Sequence, residues 1–104
     1  MTTQPRRILL IYPPFLEARI HEEDIRAVPI GLYHIAAVVK AEGHAVAVLN
    51  LNQDGQSPDQ AMGVIAQFQP DIIGFSILNA NRWGGIDIAR MVKARFPSVI
   101  TVFG

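Results

Sequence analysis

The stretch RILLIYPPFLEARI, residues 7–20, contains the pattern that decides the fold. Its first six residues are almost all apolar, and a near-continuous apolar run is typical of a strand buried on both faces, as in a parallel sheet. Two prolines follow, and because proline has no backbone N–H to donate, Pro13 and Pro14 end the strand. The next helical pattern begins only at Pro29, so residues 13–28 predict a long loop after the first strand.

Helical and strand patterns alternate along the rest of the chain. SPDQ, residues 57–60, favours a helix start with a capping box, and Gly43 favours a helix stop. The patterns predict helices over 29–42, 57–69 and 84–95, and strands over 45–50, 71–76 and 99–103. Such alternation indicates an α/β fold with right-handed crossovers.

We therefore expect a flavodoxin-like (Rossmann-like) parallel sheet with strand order 2-1-3-4. The usual sheet of this type has a fifth strand, and the patterns stop at the fourth. Residues 1–104 are accordingly expected to be the front portion of one domain, incomplete at its C-terminus.

Composition excludes several classes of function. Half of the residues are apolar, and nine basic side chains balance nine acidic ones, which leaves no electrostatic footprint for nucleic acid. The apolar runs are far shorter than the roughly 20 residues of a membrane span, so we expect a cytoplasmic protein with no membrane partner. The sequence has no cysteine, which excludes disulfides, thiolate metal sites and iron–sulfur ligation within it.

Familiar ligand loops are missing from the strand ends. No Gly-x-Gly-x-x-Gly or P-loop follows the first strand, where the chain reads YPPFLE instead. Ser76 stands at the end of the third strand, where a phosphoacceptor receiver domain has an aspartate. In open α/β sheets ligands bind where the strand order reverses, here between the first and third strands. The candidate site therefore comprises residues 13–31, residues 76–85 and Gly104.

Three features of this region each allow more than one interpretation. The two prolines form a flat apolar ledge for a ligand, or they only end a strand. His21 and the acidic residues 22–24 suggest a metal or an acid–base pair, or a solvated loop. Trp83, expected in the loop after the third strand, is a core residue, a partner contact or a ligand wall.

Four segments together resemble a known family. They are ILLIYPPF (8–15), VPIGLYHIAAVVKAEGHAVAVLNLN (28–52), PDIIGFSILNANRWGGIDIARMVK (70–93) and VITVFG (99–104). In combination they are similar to the N-terminal cobalamin-binding (B12-binding) domain of the B12-dependent radical SAM proteins, which include methyltransferases.

The resemblance implies a cobalamin site at the carboxyl ends of the strands. By position it assigns one group of residues to the corrin side, namely Pro13, Pro14, Pro29 and Gly31. It assigns a second group to the nucleotide tail, namely Ser76 and Gly104, with Asn79 in the same loop.

The resemblance also implies how cobalt would be held. Methionine synthase and the cobalamin mutases carry Asp-x-His-x-x-Gly after the first strand, and that histidine ligates cobalt. This chain lacks the string, so the resemblance implies cobalamin without a protein histidine on cobalt. In this hypothesis the Pro-Pro exit and the loop over 13–28 build the underside of the corrin.

The family resemblance places the chemistry elsewhere. S-adenosylmethionine and a 4Fe-4S cluster would belong to a downstream radical SAM catalytic domain, because this chain has no Cys-x-x-x-Cys-x-x-Cys. We therefore expect a module that is not catalytic alone and that holds the corrin for methyl transfer or related radical chemistry. The alternative is a degenerate flavodoxin-like docking or structural domain without a cofactor, with Trp83 and the loop over 13–28 contacting a partner.

Overall fold

The computed structural model describes residues 4–14, 29–52, 57–78 and 81–104. Over these ranges the elements are β1 (Arg7–Tyr12), α1 (Ile30–Ala41), β2 (Ala45–Asn50), α2 (Pro58–Phe68), β3 (Ile72–Phe75), α3 (Arg82–Arg95) and β4 (Ile100–Phe103). The strands are parallel in the order β2-β1-β3-β4. This arrangement confirms the predicted α/β, flavodoxin-like fold with order 2-1-3-4. None of the helices in the described ranges is both long and apolar enough to cross a membrane.

Helix α2 begins as its sequence predicts. The Ser57 hydroxyl accepts a hydrogen bond from the Gln60 N–H at 3.3 Å, and the Gln60 side chain accepts one from the Ser57 N–H at 2.7 Å. The two bonds form a capping box that satisfies amides otherwise left free at a helix start. The stop after α1 is also as predicted, because Gly43 has a φ of 97°.

Helix α3 begins two residues earlier than the pattern indicates, at Arg82 rather than Gly84. Trp83 therefore lies in the first turn of a helix, and its predicted place in a loop is wrong. Its side chain is 50% exposed, and the Arg82 guanidinium carbon lies 5.5 Å from the centroid of its ring. That exposure excludes the interpretation of Trp83 as a core residue.

The two faces of the sheet are covered unequally. Helices α2 and α3 cover one face, where the main core cluster includes Leu9, Ile11, Ile73, Ile65 and Ile88. On the other face α1 packs over β1 and β2 in a smaller cluster around Leu10, Tyr12 and Leu32. The part of that face formed by β4 stays open, and Ile100 and Val102 are 58% and 51% exposed.

Helix α3 approaches the exits of β1 and β3 very closely. A Cβ atom added at Gly84 would lie 2.5 Å from the Pro14 carbonyl oxygen. One added at Gly85 would lie 2.5 Å from the Ile77 Cδ1 atom and 3.3 Å from the Pro13 Cγ atom. Both prolines are buried. The pair of glycines therefore gives the Pro-Pro exit of β1 the space that it occupies; residues 15–28 of the predicted loop lie outside the described residues.

We predict opposite effects on stability for alanine at two helical glycines. Gly84→Ala should lower the free energy of unfolding by about 1–3 kcal/mol, because the backbone of Pro14 must move to admit the Cβ atom. Gly63→Ala in α2 is the matched control, since a Cβ atom there would meet nothing within 4 Å. It should raise the free energy of unfolding by up to about 1 kcal/mol through helix propensity.

Urea unfolding followed by circular dichroism measures both changes. A Gly84→Ala protein as stable as the wild type would show that the packing of α3 does not depend on the close contact with Pro14.

Candidate ligand-binding groove

An apolar groove of about 630 Å³ lies on the α1 face of the sheet. Its floor crosses three strands in one register row, from Leu10 in β1 through Gly74 in β3 to Val102 in β4. Leu32 and Ile35 of α1 form a wall. The groove exists because α1 covers only part of this face, so the floor and the wall meet along an open edge.

The groove reaches the carboxyl edge of the sheet, where backbone hydrogen bonds continue past the strand ends. The Ser76 N–H donates to the Ile11 carbonyl at 2.9 Å, and the Ile77 N–H donates to the Gly104 carbonyl at 2.9 Å. The Gly104 N–H donates to the Phe75 carbonyl at 3.0 Å. These bonds bring Ser76 and Gly104, which follow different strands, to the same end of the groove.

Glycines keep the groove open. At Gly74 an added Cβ atom would lie 2.9 Å from the Leu10 Cδ2 atom, so a larger residue there would push against the floor. At Gly31 and Gly104 an added Cβ atom would meet nothing within 4 Å. The lining at those two positions therefore borders free space that a bound molecule can occupy.

The residues that the resemblance assigns to a cofactor fall into two places. Four of them line the groove together: Pro29, Gly31, Ser76 and Gly104. Pro13 and Pro14 do not line it, because they are buried beside Gly84 and Gly85 of α3. Asn79 lies outside the described residues.

The groove is suited to binding rather than to acid–base chemistry. No side chain that lines it in the described ranges is charged, and Tyr12 and Ser76 supply its side-chain hydroxyls. Burial raises the pKa of Tyr12 above the ordinary value of 10.0, so the phenol is neutral at physiological pH. A flat apolar group with few charges is the kind of ligand that such a surface accepts.

The histidines of the described residues lie away from the groove. His34 is exposed on α1 and does not line it. His44 lies at the opposite edge of the sheet, where its Nδ1 atom accepts a hydrogen bond from the Arg6 N–H at 2.9 Å. No group of three or more His, Cys, Asp or Glu side chains suited to a metal occurs in the parts of the chain that the structure describes. His21 and residues 22–24 lie outside them.

Two asparagines at the carboxyl edge have roles that the sequence analysis missed. The Asn52 side-chain amide donates to the Pro13 carbonyl at 2.7 Å and holds the exit of β1. Asn81 is fully buried and bonds to the backbone of the segment that follows β3. The available signal was the residue type, since asparagine at a strand end or before a helix commonly bonds to nearby backbone.

The comparison with protein families identifies the domain. The model of the B12 binding domain matches residues 18–104, which is most of the chain and includes the strand ends around the groove from β2 to β4. The chain belongs to the B12-binding domain family.

Individual relatives give the wider context. The chain is 28% identical over 98 residues to the "Uncharacterized methyltransferase PH0819" of Pyrococcus horikoshii. That match covers 94% of this chain and 21% of the relative, so the chain spans about a fifth of the relative's length. The anti-anti-sigma factor PhyR from Bartonella quintana has a similar structure, with a TM-score of 0.62 and 17% identity. The likeness covers 97% of this chain and 33% of PhyR, and it shows the fold alone.

The buried phenol of Tyr12 predicts a dependence of stability on alkaline pH. Because its pKa is raised in the folded state, the unfolded chain loses this proton first as the pH rises. The contribution of Tyr12 to stability is therefore complete below about pH 10 and declines above it. The Tyr12→Phe protein should lose less stability than the wild type between about pH 8 and pH 11. Urea unfolding of both proteins at each pH measures the difference, and identical losses would contradict the prediction.

Proposed function

We propose that this chain is the cobalamin-binding module of a radical SAM enzyme, which holds the corrin for methyl transfer or related radical chemistry. The observation that carries the proposal is the apolar groove that opens beside Ser76 and Gly104 at the carboxyl edge of the sheet. This groove occurs in a chain of the B12-binding domain family, and it lies on the two strands, β1 and β3, at which the strand order reverses.

The residues of the groove fit the nucleotide tail of cobalamin. That tail ends in a flat, apolar benzimidazole base, and the floor formed by Leu10, Gly74 and Val102 is apolar and carries no charge. In this proposal the tail lies in the groove with Ser76 and Gly104 at its mouth. Pro29 and Gly31, at the start of α1, lie on the side of the corrin.

The other assigned residues enter the proposal less directly. Pro13 and Pro14 stay proposed for the corrin side as part of the exit of β1, although they are buried beside α3. Asn79 stays a proposed residue for the nucleotide tail. Cobalt would have no protein histidine as a ligand, since the sequence contains no Asp-x-His-x-x-Gly.

Catalysis would take place with a second domain. Cobalamin, when bound, supplies a cobalt centre able to carry a methyl group, and the groove residues bind and orient it. The methyltransferase relative is about five times longer than the matched segment, which leaves room for a catalytic domain. We propose that a radical SAM domain in the same or a longer chain supplies S-adenosylmethionine and the 4Fe-4S cluster, because this sequence has no cysteine. Residues 1–104 would then be the front portion of the cobalamin domain, in a cytoplasmic enzyme.

Titration with two corrinoids tests the proposal. Hydroxocobalamin carries the nucleotide tail, whereas dicyanocobinamide has the corrin without it. We expect hydroxocobalamin to bind stoichiometrically, to co-elute with the protein on gel filtration, and to show a base-off absorbance spectrum. Cobinamide should bind more weakly, because it leaves the groove unfilled.

A matched pair of variants on α1 locates the binding site. Ile35→Trp should weaken hydroxocobalamin binding by about tenfold or more, or about 1.4 kcal/mol, because the larger ring fills the groove. Val38→Trp should leave it nearly unchanged, since Val38 is exposed on the same helix and does not line the groove. Equal weakening by both substitutions would place the tail elsewhere.

A docking domain without a cofactor is the second candidate function. It is favoured by the exposed apolar side chains of Val102, in the floor of the groove, and of Ile100 in the same strand, which are of the type found at protein interfaces. A folded wild-type protein that leaves both corrinoids free in solution would support this candidate and contradict the first.

A further inference from the structure

Asn81 occupies a helix-capping position but does not cap its helix. It is the residue immediately before α3, where an asparagine side chain normally accepts a hydrogen bond from an amide of the first turn. The Asn81 side chain makes no such bond, although the residue is 0% exposed. A buried amide is costly to leave unsatisfied, so its partners indicate its role.

Those partners belong to the segment that leaves β3. The Asn81 Oδ1 atom accepts a hydrogen bond from the Leu78 N–H at 2.6 Å, and its Nδ2 atom donates to the Ser76 carbonyl at 3.3 Å. The Asn81 backbone N–H also donates to the Leu78 carbonyl at 3.3 Å. One side chain thus supplies both the donor and the acceptor that two neighbouring peptide groups need.

Because of these bonds, successive side chains continue to face opposite sides of the sheet beyond the last residue of β3. The Ser76 N–H is held by Ile11, the Ile77 N–H by Gly104, and the Leu78 N–H by Asn81. Ser76 and Leu78 consequently both line the groove, whereas the Ile77 side chain lies on the opposite face next to Gly85. Without the side chain of Asn81, the Ser76 carbonyl and the Leu78 N–H lose these partners, and the backbone is held by the remaining bonds of the Ser76 and Ile77 N–H groups and of the Leu78 carbonyl.

We propose that Asn81 is a positioning residue, which keeps Ser76 and Leu78 turned toward the groove and thereby sets the affinity for the nucleotide tail. This inference rests on the proposed function, because it assigns a determinant of tail recognition within the same site. Asn81 acts through the backbone of residues 76–78 and need not touch the ligand.

The test compares the affinities for hydroxocobalamin and dicyanocobinamide in each variant. The change in the ratio of the two Kd values between wild type and variant reports on the tail, because a general loss of structure weakens both corrinoids and the difference in their axial ligands is the same for every protein. Asn81→Ala should reduce the wild-type preference for cobalamin by about tenfold and change the cobinamide Kd by less than about twofold. Ser57→Ala is the matched control. It removes a side-chain bond to a backbone N–H at the start of α2, away from the groove, and it should leave the ratio unchanged.

The variant N81D tests the two side-chain hydrogen bonds of Asn81 separately. Its carboxylate keeps the acceptor for the Leu78 N–H but has no proton to donate to the Ser76 carbonyl. The preference for cobalamin should therefore be low at about pH 8 and should recover as the pH is lowered toward about 5, since burial raises the pKa of a carboxyl group above its ordinary value of about 3.9. Burial of the carboxylate charge alone would instead weaken both corrinoids at about pH 8, so a change confined to the ratio of their Kd values identifies the lost donor to the Ser76 carbonyl.

The outcomes distinguish this inference from the function on which it rests. A wild-type protein that binds neither corrinoid overturns both. A wild-type protein that prefers cobalamin, together with an Asn81→Ala protein that keeps the preference or weakens both corrinoids equally, overturns the role of Asn81 alone. A selective loss with Asn81→Ala and a pH-dependent recovery with N81D support it.

Discussion

The contact between α3 and the exit of β1 is the constraint on which the carboxyl edge of the molecule depends. Gly84 allows the helix to lie against Pro14 at a distance that no side chain would permit, and Gly85 allows the same close approach to Ile77 beside Pro13. Because proline fixes φ and donates no hydrogen bond, the exit direction of β1 is rigid, and the helix must adapt to it. Asn52 holds the same exit from β2 through the Pro13 carbonyl. The position of α3, in turn, determines where Asn81 meets the end of β3.

The groove lies on the opposite face of the sheet from the tightly packed helix α3. Leu10, Gly74 and Val102 follow one another across the sheet, and the absence of a side chain at Gly74 lets Leu10 extend over β3. The open edge of α1 then leaves a surface that is apolar but not filled by protein in the described residues. Covering such a surface with an apolar group, from a ligand or from another protein, is favourable because it removes apolar area from water.

Local patterns predicted the elements of the fold better than the site. The capping box of Ser57 and Gln60, the glycine stop at Gly43 and the apolar run of β1 each depend on neighbours in sequence, and each was predicted correctly. The predicted start of α3 was two residues late. Arg82 and Trp83 are half-buried and exposed, so they add no apolar residue at the spacing by which a helix is recognised. The burial of Pro13 and Pro14 depends on glycines some seventy residues away, which no local pattern reveals. The bonds of Asn81 were missed for a similar reason, since they run backward to a strand end instead of forward into the helix.

Within β1 and β3, successive side chains face opposite sides of the sheet and have different roles. Leu9, Ile11 and Ile73 point into the larger core beneath α2 and α3, whereas Leu10 and Tyr12 face the groove. Most of the buried apolar residues therefore lie on the face that does not form the groove. This division leaves the groove face open to sequence change: substitutions there can alter what the groove accepts while the opposite face continues to hold the domain together. If the groove holds the base of the nucleotide tail, as proposed, homologues that use corrinoids with different lower bases will differ at the positions facing the groove and will retain the residues of the opposite core.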